Sequence, residues 1–167
     1  EKKAKEAGYD IKVGKFPFVA SGKATAAGAR DGFVKVIYDA KYGELLGMSF
    51  EVLEPGIVAY RMEIKEKHLA TPKHAHGGCI ASLMDATLGV GALSLVSNEQ
   101  KVVSTVDLSM QFLTGVKSSD QLIAYSKCLK KGNKLIFMQA DVLNQDKQLV
   151  AHANGTFVSV AANVAGY

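Results

Sequence analysis

The feature that most constrains this chain is a stretch from Gly77 to Val96 that is apolar on nearly every side yet carries one charge. Ile80, Leu83, Met84, Thr87, Leu88, Gly91 and Leu95 recur at helical spacing, while Cys79, Ala86, Val90 and Leu93 occupy the other faces. A helix of that kind is expected to be buried nearly all round, since a surface helix needs only one apolar stripe. The flanking segments supply the cover. Val58, Tyr60, Met62 and Ile64 alternate with Ala59, Arg61 and Glu63, as in a half-buried strand, and a loop from Lys65 to Ala75 leads into the helix. Downstream lie four strand-like segments, 102–113, 122–130, 135–143 and 149–160. In the first, Val106, Leu108, Met110 and Phe112 share one face, and Thr105, Asp107, Ser109 and Gln111 the other. Lys131-Gly132-Asn133-Lys134 and Asn144-Gln145-Asp146-Lys147 read as turns between antiparallel neighbours. The order predicts an α+β fold, a curved antiparallel sheet wrapped around one central helix.

The same stretch is long enough to span a bilayer. Asp85 near its middle and the strand patterns on both sides argue against that, because a charge there costs several kcal/mol in lipid. A content of 48% hydrophobic and 22% charged residues fits a folded soluble domain. The formal charge of +4 comes mostly from scattered lysines. No basic block is present, so nucleic-acid binding is not expected, although the surface would attract an anionic ligand. The opening Glu1-Lys2-Lys3-Ala4-Lys5-Glu6 is not a secretory signal, and Cys79 and Cys128 lack metal-type spacing. A cytoplasmic protein with two free thiols, and no membrane association, is the expectation.

Asp85 is too deep in the helix to be its N-cap. A lone carboxylate in a buried helix needs either a structural partner, backbone or lysine, or a chemical purpose. At the helix start, His76-Gly77-Gly78 offers glycines that let a ligand approach the backbone closely. The first amides of a helix have no intrahelical acceptor and carry the positive end of its dipole, so they suit a carbonyl oxygen becoming an oxyanion. Asp85, about two and a half turns after His76, would activate a water. Taken singly, the glycine pair reads more readily as a tight loop-to-helix junction. His74-Ala75-His76, with His68 and Asp85, is a weak metal pattern, and no metal is expected.

The run from His76 to Ala86 (HGGCIASLMDA) resembles the signature of hotdog-fold acyl-CoA thioesterases of the phenylacetate-pathway, PaaI-like type. The likeness continues through Thr105-Val106-Asp107-Leu108, Phe112-Leu113, Lys131-Gly132-Asn133-Lys134 and the run from Ala151 to Phe157, covering about Gly47 to Val160. It implies a hotdog fold, hydrolysis of a small or medium acyl-CoA without a cofactor, and a site at the interface of a homodimer or homotetramer. By the same resemblance Asp85 is base or nucleophile, and Gly77 or Gly78 supplies the amide that polarises the thioester carbonyl. His76 precedes that donor, and Thr105 helps position the water. Lys131 and Lys134 meet the phosphates of coenzyme A. Relatives often have an asparagine after a His-Leu pair in the loop; here Ala70 follows His68-Leu69, and His74 is the candidate substitute for contacting substrate.

A second resemblance precedes it. Ile11-Lys12-Val13-Gly14-Lys15-Phe16-Pro17-Phe18, Gly22-Lys23-Ala24, the run from Gly32 to Ile37 (GFVKVI) and Gly43-Glu44-Leu45-Leu46-Gly47 are similar to part of the interface domain of dihydrolipoamide dehydrogenase. The activity of that enzyme is not implied, since no Gly-x-Gly-x-x-Gly follows a strand and no close cysteine pair exists. Residues 1–47 are therefore expected to be an extension and residues 48–167 the hotdog domain, with 33–37 and 45–50 forming a hairpin around 39–43. The alternative to an enzyme is a non-catalytic acyl-CoA-binding or assembly module associated with a lipoamide-dependent complex. A hotdog hydratase lacks support, because no Asp-x-x-x-x-His motif is present.

Overall fold

The computed structural model describes Glu6, strands β1 (Ile11–Pro17) and β2 (Phe33–Asp39), and residues 46–165. Strands β3 (Met48–Glu54) and β4 (Ile57–Glu63) come next, followed by helix α1 (Gly77–Ser94). Strands β5 (Lys101–Phe112), β6 (Gln121–Lys131), β7 (Leu135–Leu143) and β8 (Leu149–Ala161) complete the order. Six of them form one antiparallel sheet in the order β3-β4-β6-β7-β8-β5, while β1 and β2 form a separate antiparallel pair. The expected α+β wrap of sheet around helix is what is found.

The hairpin expected between 33–37 and 45–50 is not formed. Strand β2 pairs with β1, from Ile11 opposite Asp39 to Pro17 opposite Phe33. Strand β3 pairs instead with β4, Met48 opposite Met62. Pro55-Gly56 explains the preference: proline presets the first turn position, and Gly56 takes φ +87°, which a residue with a Cβ resists. A two-residue turn closes far less chain than a partner across 40–45, which lie outside the described residues. Met48 is thus already part of the six-stranded sheet.

Leu83, Met84, Leu88 and Ala92 of α1 are fully buried against Val58, Met62, Ile136, Met138, Val142 and Phe157. Two buried serines tie the β3–β4 turn into this core. Ser94 Oγ accepts from the Gly56 amide at 2.8 Å and donates to the Gly91 carbonyl at 2.7 Å. Ser126 Oγ accepts from the Val58 amide at 2.9 Å and donates to the Gly56 carbonyl at 3.1 Å. Backbone groups that the turn would otherwise bury unpaired are thereby satisfied. Helix and β6 approach so closely that a Cβ on Gly91 would lie 2.5 Å from Ser126 Oγ. Although α1 is long and apolar enough to cross a membrane, its apolar residues pack on the sheet.

The helix is not buried all round. Gly77, Gly78 and Asp85 are exposed, and Ala81, Ser82 and Gly89 only partly covered, so one stripe of small residues and a single acid stays open. The sheet curves over the opposite stripe. Beside the open stripe runs β5, an edge strand of 12 residues whose one partner among the described residues is β8.

Candidate active site

The start of α1 is built by the loop before it. The Leu69↔Ala75 bridge closes the segment 70–74, and Thr71 Oγ1 accepts from the His74 amide at 3.1 Å. The His76 amide donates to the His68 carbonyl at 2.8 Å, which fixes where the helix begins. His76 is the N-cap residue, with φ −70° and ψ 130°, and its Nδ1 accepts from the Gly78 amide at 2.8 Å. The Cys79 amide donates to the His76 carbonyl at 3.0 Å.

These bonds separate the two glycines. The Gly78 amide is taken by the imidazole cap, whereas the Gly77 amide has no acceptor among the described residues. The reason for a glycine at 78 is steric, because a Cβ there would sit 2.8 Å from His76 Nδ1. A Cβ on Gly77 would meet only the Phe112 ring, at an ordinary 3.7 Å. Of the two expected oxyanion donors, Gly77 is therefore the available one, and Gly78 makes room for the cap. Gly78→Ala is expected to displace the cap and cost about 1 kcal/mol of stability. Gly77→Ala should fold normally yet lower turnover by about 10²-fold, through a methyl group beside the amide expected to meet the carbonyl. Thermal melts and thiol-release rates of both variants check this.

Asp85 lies on the open stripe of α1, not in a closed apolar interior. Its Oδ1 accepts from Thr105 Oγ1 at 3.1 Å. Thr105 reaches it because β5 contains a bulge. Thr105 pairs with Phe157 and Asp107 with Thr156, leaving Val106 as an extra residue. Strict alternation would place Val106 on the face of Leu108, Met110 and Phe112. The bulge shifts the phase, so Val103, Leu108 and Met110 pack toward the core while Val106 is 60% exposed. Thr105, in phase with Val103, thus falls on the helix side. The expected alternation is corrected at this point, and the strand's apolar pattern carried no sign of it.

The other expected residues lie elsewhere. His74 packs its ring over Gly115, where a Cβ would lie 3.2 Å from Cδ2, and its backbone shapes the loop. Its side chain has no hydrogen bond to the His76–Gly78 segment among the described residues. Lys131 Nζ donates to the Leu95 carbonyl at 2.9 Å and pairs with Glu99, at the far end of α1 from Gly77. Hydrogen bonds from Lys101 and Lys131 hold the Glu99 carboxyl down at about 2. Lys134 is exposed in the β6–β7 turn, where its carbonyl accepts from the Ser159 amide. Two contacts here have no counterpart in the sequence pattern: the Phe112 ring flanks Gly77, and the His68 carbonyl anchors His76. Each of His68, His74 and His76 serves a separate local contact, and no group of three or more metal-ligating side chains converges among the described residues.

Comparison with known proteins divides the chain in two. Residues 72–151 match the thioesterase superfamily. Residues 1–77 match the dimerisation domain of pyridine nucleotide-disulphide oxidoreductases, a longer span than the motifs at 6–47 suggested. That match runs across β3 and β4, which nonetheless belong to the six-stranded sheet. Dihydrolipoyl dehydrogenase of Zymomonas mobilis is 44% identical over 75 residues, 41% of this chain and 16% of that protein. The Rhizobium etli enzyme is 42% identical over 94 residues, 53% of this chain and 20% of that one. The chain thus spans a fifth or less of the length of these two curated relatives.

Among solved structures, the Escherichia coli PaaI protein of the phenylacetic acid degradation operon superposes with a TM-score of 0.68 at 19% identity, over 85% of this chain and 94% of that one. A hypothetical thioesterase of Streptococcus pneumoniae solved with coenzyme A gives 0.63 at 24% identity, over 68% and 86%. A Streptococcus mutans protein bound to acetyl-CoA gives 0.63 at 28% identity, over 68% and 89%. With one long helix and a six-stranded antiparallel sheet among its described residues, this chain has the hotdog fold of the PaaI protein, and it is similar to the thioesterase superfamily over 72–151 and to the dihydrolipoyl dehydrogenase dimerisation domain before that.

Proposed function

We propose that this protein hydrolyses the thioester of a small or medium acyl-CoA, and that its working unit is a homodimer. The observation that carries the reading is the shared open stripe. A Gly77 amide and a strand edge that have no partner among the described residues lie beside a carboxylate oriented by Thr105, on one exposed strip of α1. The Gly77 amide polarises the carbonyl and holds the oxyanion, helped by the helix dipole. Asp85 takes a proton from water as that water attacks the carbonyl carbon, or attacks the carbon itself. The C–S bond then breaks and coenzyme A leaves as the thiolate; where Asp85 itself has attacked, water next cleaves the resulting acyl anhydride, releasing the acid and restoring the carboxylate.

Geometry argues for two chains. Gly77 and Asp85 are eight residues apart on a straight helix, about 12 Å along its axis. A single carbonyl carbon must lie about 3 Å from its nucleophile, so one chain does not present both groups to one thioester. A second copy, approaching edge to edge through β5, brings its own Asp85 toward this Gly77. A long exposed edge bearing Val106, Phe112 and Leu113 invites such pairing. By the same measure Leu95, whose carbonyl Lys131 touches, lies about 27 Å along the axis from Gly77, so any contact of Lys131 with coenzyme A phosphates falls to a neighbouring copy.

The test is thiol release across aliphatic and aromatic acyl-CoAs, with the mass in solution measured in parallel. Turnover of at least one acyl-CoA by a dimer or tetramer is expected. Binding without thiol release for the whole panel would instead favour a non-catalytic acyl-CoA module, one that the dehydrogenase-like segment tethers near a lipoamide-dependent complex.

A further inference from the structure

His68 is the most deeply buried titratable side chain outside the catalytic stripe, 2% exposed. Its hydrogen bonds of good geometry among the described residues all go to the loop that leads into α1. Its Nδ1 accepts from the Lys65 amide at 3.0 Å, and its own amide donates to the Lys65 carbonyl at 2.9 Å. Its carbonyl accepts from the His76 amide at 2.8 Å. An Nδ1 that accepts leaves the ring proton on Nε2. Nε2 is buried and has no hydrogen-bond partner of good geometry among the described residues; it faces the backbone where Leu46 and Gly47 lead into β3.

We infer that His68 is a positioning residue for the proposed reaction. As neutral imidazole it locks the loop that seats His76 on the start of α1, and on taking a proton it releases that loop. The chemistry is direct. A proton on Nδ1 turns an acceptor into a donor facing the Lys65 N–H, so the bond is lost and two donors oppose each other. Among the described residues the charge meets no counter-ion. Lys67 and Lys65 are of the same sign, and Glu63, the nearby acid, is paired with Lys65 at 3.4 Å and offers the ring only its carbonyl. Burial, then the positive Lys67 and Lys65, hold the imidazole below its ordinary value of 6.5, outweighing the Leu46 and Glu63 carbonyls. Release of the loop weakens the His76 bond, and with it the cap that leaves the Gly77 amide free.

The unfolded chain accordingly binds the proton more readily than the folded one. Stability from this group is complete above pH 6.5 and falls as pH drops below 6.5 toward the lowered folded value. His76 is the other imidazole whose Nδ1 acts as acceptor on this path, so the experiment must separate the two.

The test is His68→Asn, whose side-chain oxygen replaces Nδ1 as acceptor for the Lys65 amide and does not titrate. The wild type is expected to lose kcat/KM about tenfold per pH unit on the acid side, below a value under 6.5, reversibly and at unchanged KM. His68→Asn should keep neutral-pH activity within about threefold and lose that limb. An identical acid limb in His68→Asn overturns the inference and assigns the limb to His76 or Asp85. This readout rests on the thioesterase reading; amide exchange does not. If no acyl-CoA is turned over at any pH, the proposed function fails, while exchange of the His76 amide still decides the inference. Its protection should collapse on acidification in the wild type and persist in His68→Asn. Should His68→Asn not fold, the wild-type ring is followed by NMR. Protonation below 6.5 together with loss of His76 amide protection is expected, and protonation with that protection intact overturns the proposal.

Discussion

Asp85→Asn is expected to lower thiol release by on the order of 10²–10⁴-fold without changing the melting temperature. Asparagine keeps an oxygen that accepts from Thr105 Oγ1, now at 3.1 Å from the Asp85 carboxyl, so the local geometry survives. The side chain is exposed on the stripe, and a surface change of this size alters stability by no more than about 0.5 kcal/mol. What asparagine lacks is basicity and nucleophilicity. The loss should therefore appear in kcat, with KM little changed. Steady-state kinetics on the best acyl-CoA of the panel, beside a thermal melt, reads both. Turnover at the wild-type rate would remove Asp85 from the mechanism and leave the open stripe without a chemical role. Mixing Asp85→Asn with Gly77→Ala chains adds a sharper reading. If each site takes its amide and its acid from different chains, some mixed dimers regain one intact site, and activity should exceed that of either variant alone.

Leu88→Ala carries the largest expected effect on stability. Leu88 is completely buried at the middle of α1, where its Cδ1 lies near Gly155 and Phe157. Gly155 leaves the space this leucine fills: a Cβ there would be 3.2 Å from Leu88 Cδ1 and 2.9 Å from the Phe157 ring. Truncation removes buried methyl groups and leaves a hole that sheet and helix, joined by many short contacts, close only in part. A loss of about 2–5 kcal/mol follows, or roughly 5–15 °C in melting temperature for a chain of this size. Urea unfolding should show a lower midpoint at nearly unchanged slope. A loss under about 1 kcal/mol would mean that the helix does not fill the sheet's concave face as described.

Most of the architecture was readable because it rests on local periodicity. The apolar run of α1, the alternation in β4 and the turns before β7 and β8 each carry their information within about ten residues. The fault lay where two local signals competed. Periodicity alone pairs 45–50 backward with 33–37, although Pro55-Gly56, the stronger turn signal, stands just after β3 and turns it into β4.

The site divides along the same line. Its members Asp85, Gly77 and His76 stand in one contiguous run, so residue types and spacing alone pointed to an amide donor and an acid on one helix. How they are used was decided in three dimensions. Which glycine keeps a free amide depends on where the His76 ring turns, and no spacing encodes a rotamer. Whether Thr105 meets Asp85 depends on one unpaired residue in β5, visible only once β8 sets the register. The structural place of His68 comes from the loop folding back on it, through the Lys65 amide at its ring and the His76 amide at its carbonyl. Pattern along the chain determines which faces are apolar, because burial follows period. Direction of a hydrogen bond and phase past a bulge are set by partners distant in sequence, and those only the assembled sheet supplies.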